Sequence, residues 1–282
     1  MCCDGGVGEN GPAELREVAE RLVGEAASFV RGRRSELFDS GGPGGSTVRT
    51  KSGPTDPVTL ADTETEQLIR DRLAELRPGE SILGEEGGGG SGDGPVRWVV
   101  DPIDGTVNFV YGIPAYGVSV GAYLDGVAVA GAVADVAGAK VYSAATGMGA
   151  HCLSAGVRRP LRCSAATDLS LALVGTGFGY DPERRAAQAA LVAGMLPRVR
   201  DIRRIGSAAL DLCLVAAGRL DAYYEHGLNE WDWAAGAVIA AEAGALVTLP
   251  EEPGGLLVAA APGVAAALLA SLDALSGLGS LS

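Results

Sequence analysis

Residues 98–109 read Trp98-Val-Val-Asp-Pro-Ile-Asp-Gly-Thr-Val-Asn-Phe109. Three residues of strand type precede Asp101, and the proline after it cannot donate a ladder hydrogen bond, so we expect the strand to end there and the chain to turn. Asp104, Gly105 and Thr106 add a second carboxylate, a position that tolerates positive φ, and a hydroxyl beside exposed backbone N–H groups. This turn can offer oxygen ligands to Mg²⁺ and N–H donors to a phosphate, although a solvated Asp-rich turn has the same composition.

Two other segments place acids in comparable positions. Glu85 and Glu86 follow a short apolar strand predicted at 81–83, so two strands end in carboxylates. Asp232 lies at the start of a predicted helix, where backbone N–H groups and the helix dipole favour an ionised acid. First-turn acids are common in helices of any function, so Asp232 alone indicates little.

A further acid, Asp62, begins the helix predicted over 61–76 and lies close to Thr59. Its spacing from Thr59 is typical of a helix cap, which is the simpler interpretation unless Asp62 has another partner.

The charge of the chain bears on its partners. The 282 residues carry a formal net charge of −13. Binding to DNA or RNA rests on Lys and Arg that neutralise phosphates, so we expect no nucleic-acid partner. The same acidity would repel a phosphate ester unless bound cations reverse the local potential, which favours a metal site.

The termini and the cysteines indicate a cytoplasmic protein. No apolar run approaches the roughly 20 residues needed to cross a bilayer, and the first residues lack the basic and apolar regions of a secretory signal. Five cysteines, an odd number without metal-type spacing, suit a reducing compartment better than a disulfide framework. Lipidation of Cys2 and Cys3 is a minor alternative.

The order of elements predicts a mixed α/β chain in two parts. Residues 1–155 are predicted to form an α+β subdomain with a helix at 14–29, the helix at 61–76, and an antiparallel meander over 116–144. Asp125-Gly126 predicts a type I′ hairpin within that meander. Residues 156–282 are predicted to form an α/β subdomain, and the Gly- and Ser-rich stretches 39–46 and 87–90 to form loops.

Together these segments resemble the inositol monophosphatase family of Mg²⁺-dependent, lithium-sensitive phosphatases. The stretch 98–109 and Trp231-Asp232-Trp-Ala-Ala-Gly236 match the two signatures of the family, and Gly84-Glu85-Glu86 and the stretch 51–62 match as well. The resemblance runs from the first helix to the last, in order. It implies a layered αβαβα sandwich with the site between its two halves.

The resemblance also implies a metal site with two or three Mg²⁺ ions. Glu85, Asp101 and the carbonyl oxygen of Ile103 would hold the first ion, and Asp101, Asp104 and Asp232 would hold the second. A third, weaker ion is expected near Glu85. In such enzymes the ions clamp the phosphate and lower the pKa of the attacking water.

The resemblance to the family also implies that Asp62, Thr106 and Glu85 are catalytic residues. Asp62 and Thr106 would form a hydrogen-bonded pair that orients the water, which gives Asp62 the partner that a simple cap lacks. The N–H groups of Gly105 and Thr106 would receive phosphate oxygens, and no covalent intermediate is expected.

The substrate contacts implied by the resemblance come mainly from the second half. Glu225 matches the position that hydrogen-bonds inositol hydroxyls, Ser207 and Ala208 match a segment that lines the ring, and Asp232 would hold water near the departing oxygen. Asn229 and Glu230 depart from animal members of the family, so the rim of the pocket could admit other substrates. Lys51 is either a residue of the site mouth or a solvated lysine.

Other functions remain open at this stage. Fructose-1,6-bisphosphatase and histidinol-phosphate phosphatase would use the same metal site, and a regulatory protein that binds RNA-associated machinery is an alternative of another class. The sequence argues against zinc catalysis and against a Ser-His-Asp triad, because its two histidines have no partner residues at suitable spacing. Relatives commonly form dimers, so we expect a homodimer.

Overall fold

The computed structural model describes residues 10–38, 48–50, 57–90, 92, 94–277, 279 and 280. The expectations for the loop at 39–46, for Lys51 and for Cys2 and Cys3 lie outside these residues.

The described residues form seven α-helices, and their buried faces carry the apolar residues that recur at helical spacing. They are α1 (Pro12–Phe38), α2 (Leu60–Leu76), α3 (Thr106–Tyr111), α4 (Pro182–Met195), α5 (Ala208–Ala216), α6 (Glu230–Glu242) and α7 (Pro262–Asp273). The first helix continues beyond its predicted end at residue 29, because Val30 and Phe38 are also buried and Phe38 stacks edge-on against Phe109 with ring centroids 5.5 Å apart. None of these helices combines the length and apolarity needed to cross a bilayer.

Fifteen strands occur in the same residues, in three sheets. They are β1 (Val48–Thr50), β2 (Pro57–Thr59), β3 (Ser81–Gly84), β4 (Gly88–Gly89), β5 (Val96–Asp104), β6 (Gly117–Leu124), β7 (Val127–Asp135), β8 (Lys140–Ala145), β9 (Ala150–Ser154), β10 (Val157–Pro160), β11 (Leu173–Thr176), β12 (Asp201–Arg203), β13 (Ala222–His226), β14 (Leu246–Thr248) and β15 (Leu256–Ala260). Strands β1 and β2 form a separate antiparallel pair.

The first large sheet has the strand order β10-β9-β8-β7-β6-β5-β3-β4. Its centre is the predicted meander, and the type I′ turn is confirmed because Asp125 and Gly126 both have positive φ, 51° and 81°. The sequence missed β9 and β10, in which polar and apolar residues do not alternate clearly, and it missed the short β4 within the predicted loop at 87–90. The proposed subdomain boundary after residue 155 falls in the turn between β9 and β10 and stays a prediction.

The second large sheet has the order β12-β11-β13-β15-β14. Strand β11 pairs in parallel with both β12 and β13, whereas β15 runs antiparallel to β13 and β14. All five strands lie within residues 156–282, for which the sequence predicts a mixture of strands and helices.

Helices and sheets alternate in five layers. On one face of the eight-stranded sheet, α1 and α2 pack in a cluster that includes Ile69 and Trp98. On its other face lie α5 and α6, where Ile239 packs near Val133. The predicted αβαβα order is thereby confirmed for its first three layers.

The same two central helices also cover the five-stranded sheet. Leu212 of α5 belongs to a cluster with Tyr223 of β13. The far face of that sheet is covered by α4 and α7, where Leu268 packs in a cluster with Val258. Helices α5 and α6 therefore form the middle layer, which joins the two halves of the chain.

The expectation that the chain turns at Pro102 was wrong. Strand β5 continues to Asp104, with an irregularity against β6, because Asp101 pairs with Ser119 but Asp104 pairs with Gly117. One extra residue on β5 makes a bulge, where a missing N–H donor is tolerated. The chain turns only at Gly105, which has φ of 92°.

Two glycines on the sheet allow α6 to approach closely. A β-carbon on Gly121 would lie 2.9 Å from the β-carbon of Ala234, and one on Gly131 would lie 2.7 Å from the α-carbon of Ala235. Any side chain there would push α6 away from the sheet.

We therefore expect Gly131→Ala to lower the free energy of unfolding by about 1–3 kcal/mol, since the added carbon meets backbone that cannot rotate away. Urea unfolding followed by circular dichroism measures this. Gly32→Ala on the exposed face of α1, where a β-carbon has no neighbour within 4 Å, serves as control and should stabilise by about 0.5–1 kcal/mol. Equal stability of the Gly131→Ala variant and the wild type would contradict the close packing.

Candidate active site

Parallel pairing of β3 and β5 brings two of the predicted acids together. Gly84 lies opposite Val100, and the N–H of Glu85 donates to the carbonyl oxygen of Val100 over 3.3 Å. Glu85 therefore emerges beside Asp101, which is buried and accepts a hydrogen bond from the N–H of Ile103.

Asp104 connects the first sheet to α5. Its Oδ2 accepts from the Ser207 hydroxyl at 2.6 Å and from the N–H of Ala209 at 2.7 Å. Ser207 is the N-cap of α5 and also accepts from the N–H of Leu210. These bonds fix the direction of the Asp104 side chain at the start of a helix, where a negative charge is favoured.

Asp232 is distant in sequence from the other acids and lies near them because α6 packs across the first large sheet. It occupies the third position of α6, and its Oδ2 accepts from the N–H of Asn229 at 2.6 Å. The alternative interpretation of Asp232 as an ordinary first-turn acid is thus also correct, and one of its carboxylate oxygens closes a capping box.

Asp62 has the partner that the capping interpretation lacked. Its Oδ2 accepts from the backbone N–H and the hydroxyl of Thr59, at 2.8 and 2.5 Å. Its Oδ1 lies 3.1 Å from the hydroxyl oxygen of Thr106, which in turn lies 3.0 Å from the carbonyl oxygen of Ile103. Because a hydroxyl has one proton, Thr106 can donate to only one of these two acceptors at a time.

Burial dominates the protonation of Asp62. It raises the pKa to about 7, with smaller upward effects from the charges of Glu86 and Glu85, while the two hydrogen bonds from Thr59 act downward. Asp62 is thus poised to exchange a proton near neutral pH in the ion-free protein.

Nearly all the predicted site residues line one cavity of about 520 Å³ between the two halves. Asp62 does not line it and lies behind Thr106. The predicted residues in the lining are Glu85, Asp101, Ile103, Asp104, Gly105, Thr106, Ser207, Ala208, Glu225 and Asp232.

The acids of this cavity oppose each other's ionisation. Burial raises the pKa of Asp101 well above its usual range, and the charges of Glu85, Asp104 and Asp232 raise it further. Burial also raises the pKa of Asp232, helped by the charges of Asp104 and Glu85. The pKa of Asp104 is raised to about 6, again mainly by burial, although its hydrogen bonds act downward.

The four acids of the cavity suit a hard divalent cation, because such cations prefer oxygen ligands. A bound positive charge would also allow the crowded carboxylates to ionise. Across the described residues, no group of three or more His, Cys, Asp or Glu side chains forms a ready-made metal cluster. Asp104 and Asp232 each have an oxygen engaged in hydrogen bonds, and mutual repulsion disfavours closer approach of the four acids.

The sequence predicted Glu225 in the cavity but not the residues that surround its carboxylate. Burial raises the pKa of Glu225 to about 7, while the Tyr223 hydroxyl and the charge of Arg204 act downward. The Tyr223 hydroxyl donates to Glu225, two residues further along β13. Strand β11 ends at Thr176, and a β-carbon on the next residue, Gly177, would overlap the carboxylate of Glu225.

Sequence reasoning missed Glu66, which positions the loop that carries Glu85. Glu66 is buried on α2, and its carboxylate accepts from the N–H groups of Glu86 and Gly87 at 2.7 and 2.8 Å. It pairs with Arg70, which donates to the carbonyl of Gly88 at 2.7 Å. The available signal was its spacing of one helical turn from Asp62.

Comparison with known proteins agrees with this architecture. The sequence profile of the inositol monophosphatase family matches residues 12–276. The inositol-1-monophosphatase of Mycobacterium leprae is 64% identical over 96% of this chain and 98% of its own length. The Nus factor SuhB of Vibrio cholerae is 39% identical over 71% of this chain and 74% of its own length.

A solved structure is similar over nearly the whole chain. Mycobacterium tuberculosis SuhB superposes with a TM-score of 0.83 at 60% identity, covering 95% of this chain and 99% of that one. The fold, the cavity and these relatives define an enzyme of the phosphatase class, a hydrolase of phosphoric monoesters. More particularly, the chain belongs to the inositol monophosphatase family.

We expect Glu66→Gln to destabilise the protein by about 1–3 kcal/mol, because an amide has one acceptor oxygen for two N–H donors and no charge for Arg70. The amides of Glu86 and Gly87 should exchange hydrogen faster, as measured by mass spectrometry. Glu64→Gln on the same helix, where the partly exposed Glu64 pairs with Arg33 at 2.7 Å, is the control and should cost at most about 1 kcal/mol. Wild-type exchange at both amides would refute the role given to Glu66.

Proposed function

We propose that this enzyme is a Mg²⁺-dependent phosphomonoesterase that hydrolyses inositol monophosphate to inositol and phosphate. The observation that carries the proposal is the convergence of Glu85, Asp101, Asp104 and Asp232 on one cavity next to the hydroxyl of Thr106. The name of the relative from M. leprae supports the choice of substrate.

Two or three Mg²⁺ ions would be held in this cavity. Glu85, Asp101 and the carbonyl of Ile103 would form one position, and Asp101, Asp104 and Asp232 the other, with Asp101 shared. Bound there, the cations would supply positive charge to the phosphate and increase the acidity of water. Inhibition by lithium is part of this proposal.

Thr106 and Asp62 would orient the attacking water. When the Thr106 hydroxyl donates to Asp62, its lone pairs face away from Asp62 and can accept a hydrogen bond from water. The hydrogen bonds from Thr59 hold Asp62 in place, so the orientation is set before substrate binds. The N–H groups of Gly105 and Thr106 would receive phosphate oxygens.

The polyol would lie against the wall formed by the second half of the chain. Glu225 would accept hydrogen bonds from ring hydroxyls, and Ala208 would contact the ring. The Ser207 proton is committed to Asp104, so Ser207 would act towards substrate only as an acceptor. Asp232 would retain a free oxygen for water beside the departing hydroxyl.

Further parts of the proposal concern the setting of the enzyme. We propose that the enzyme is cytoplasmic and forms a homodimer. Its binding partner would be a small phosphorylated polyol, which is its substrate. Fructose 1,6-bisphosphate and histidinol phosphate are the alternative substrates at the same site. A non-enzymatic alternative is a regulatory protein that binds RNA-associated machinery, and the name of the V. cholerae relative, Nus factor SuhB, supports it.

The purified protein should release phosphate from inositol 1-phosphate faster than from histidinol phosphate or fructose 1,6-bisphosphate, and only with Mg²⁺. Asp104→Asn and Asp232→Asn should each lower kcat/KM by about 100-fold or more, since even indirect partners of metal ligands are worth 10- to 100-fold. Phosphate release followed by a colorimetric assay measures both effects.

Asp125→Asn, in an exposed hairpin turn, removes the same charge and should leave the rate unchanged. Thermal unfolding with added Mg²⁺ separates binding from catalysis, because ions bound at 100 times their Kd stabilise by about 2.7 kcal/mol and the two site variants should lose part of this gain. Unaltered rates in both site variants would eliminate the proposed metal site.

A further inference from the structure

Gln188 is a polar residue on the buried face of α4. The buried residues of this helix are Gln188, Leu191 and Met195, and they recur at helical spacing. Gln188 is only 3% exposed, although most glutamine side chains lie at the surface. Burial of an amide is unfavourable unless hydrogen bonds replace those to water, so the partners of Gln188 must account for its position.

Both polar atoms of the Gln188 amide are hydrogen-bonded to backbone of the cavity wall. Its Oε1 accepts from the N–H of Gly179 at 3.0 Å, and its Nε2 donates to the carbonyl oxygen of His226 at 3.2 Å. Gly179 follows β11, His226 ends β13, and both residues line the cavity. The side chain of Gln188 therefore joins two separate segments of the wall.

These two segments separate where the parallel ladder between β11 and β13 stops. The last paired residues are Thr176 and Tyr224. The next residues are Gly177 and Glu225, which lie in contact, because a β-carbon on Gly177 would overlap the carboxylate of Glu225. Ligands of α/β sheets commonly bind outside the carboxyl ends of parallel strands. Gln188 thus bridges the two segments one residue beyond Glu225.

The β13 side of this bridge is held by other contacts as well. Strand β13 pairs with β15 as far as His226. The Nε2 atom of His226 lies 2.9 Å from the carbonyl oxygen of Gly277 and donates to it, since a carbonyl can only accept. Loss of the Gln188 bridge should therefore displace mainly the segment 177–181, which lies against Glu225.

We propose that Gln188 is a positioning residue for substrate recognition, which holds the segment 177–181 where Glu225 can bind the ring hydroxyls of a polyol. Gln188 lies behind the cavity wall and acts through the backbone of that segment. This inference rests on the proposed phosphatase function and adds a determinant of its substrate class. Its effect should fall on binding of the ring, because other elements hold the acids of the metal site.

The first test removes both hydrogen bonds with Gln188→Met, which keeps the length of the side chain. Ring contacts are made equally in the ground state and the transition state, so KM for myo-inositol 1-phosphate should rise by about 5-fold or more while kcat stays within about 2-fold. 4-Nitrophenyl phosphate has no ring hydroxyls, so its kcat/KM should change by less than about 2-fold. Phosphate release with Mg²⁺ measures both substrates.

Two control variants separate the bridge from general effects of substitution. Gln67→Met replaces the other glutamine of the chain, an exposed residue of α2 that donates to Asp71 at 2.8 Å. Met195→Ala leaves a cavity on the same helix as Gln188, in the cluster that contains Val174, and should lower the unfolding temperature. Both variants should keep the wild-type KM for myo-inositol 1-phosphate.

Gln188→Glu provides a second test, which also serves if Gln188→Met does not fold. A protonated carboxyl group has an acceptor oxygen and an O–H donor, so it can replace both bonds of the amide, whereas a carboxylate cannot donate to His226. The ratio of the KM of this variant to that of the wild type at the same pH should be close to one at low pH and rise as the carboxyl ionises. A raised ratio that does not depend on pH would contradict the bridge.

Two results with Gln188→Met would overturn the positioning role. They are an unchanged KM for myo-inositol 1-phosphate and an equal loss with 4-nitrophenyl phosphate, which would indicate a general change of the site. If the wild type hydrolysed neither compound, the proposed function would fail by itself. Hydrogen exchange would then decide the positioning role, because myo-inositol 1-phosphate with Mg²⁺ should protect the amides of 177–181 more in the wild type than in Gln188→Met. Equal protection in both proteins, including none in either, would overturn it.

Discussion

The candidate active site depends on one constraint, which is that four carboxylates must be held around a single cavity although burial and mutual repulsion oppose their ionisation. The pKa of Asp101 shows this opposition most clearly, since burial raises it first and the charges of three other acids raise it further. The fold supplies the compensation. Backbone N–H groups and a serine hydroxyl hold Asp104 and Asp232, and a cation is the remaining partner that such a set favours.

Strand β5 and helix α6 carry three of these acids, and Glu85 lies in the turn directly after β3. Parallel pairing of β3 and β5 places Glu85 beside Asp101, and close packing of α6 on Gly121 and Gly131 brings Asp232 to them. Residues without direct access to the cavity add to this rigidity. Glu66 fixes the loop after β3, and Asp62 is held from one side by Thr59 and contacts Thr106 on the other.

Much of the site was predictable because its signals are local. The stretch 98–109 contains its strand, its acids and its turn within a dozen residues, and capping acids such as Asp62 and Asp232 can be recognised from neighbouring residues. Expectations failed where a partner outside the local sequence decides. Pro102 was expected to end its strand, but pairing with β6 continues through a bulge. Strand β9 forms against the edge of β8, and β10 forms in turn against β9.

The sequence by itself determined the type of each main element, the acids of the candidate site and the family, because periodicity, caps and signature motifs depend on neighbouring residues. Only the tertiary structure decided which side chains of distant segments meet, as Ser207 at the start of α5 meets Asp104 of β5. It alone placed Arg184 and Arg204 in the cavity wall. Such contacts depend on the packing of distant segments, and the spacing of residues along one chain does not encode that distance.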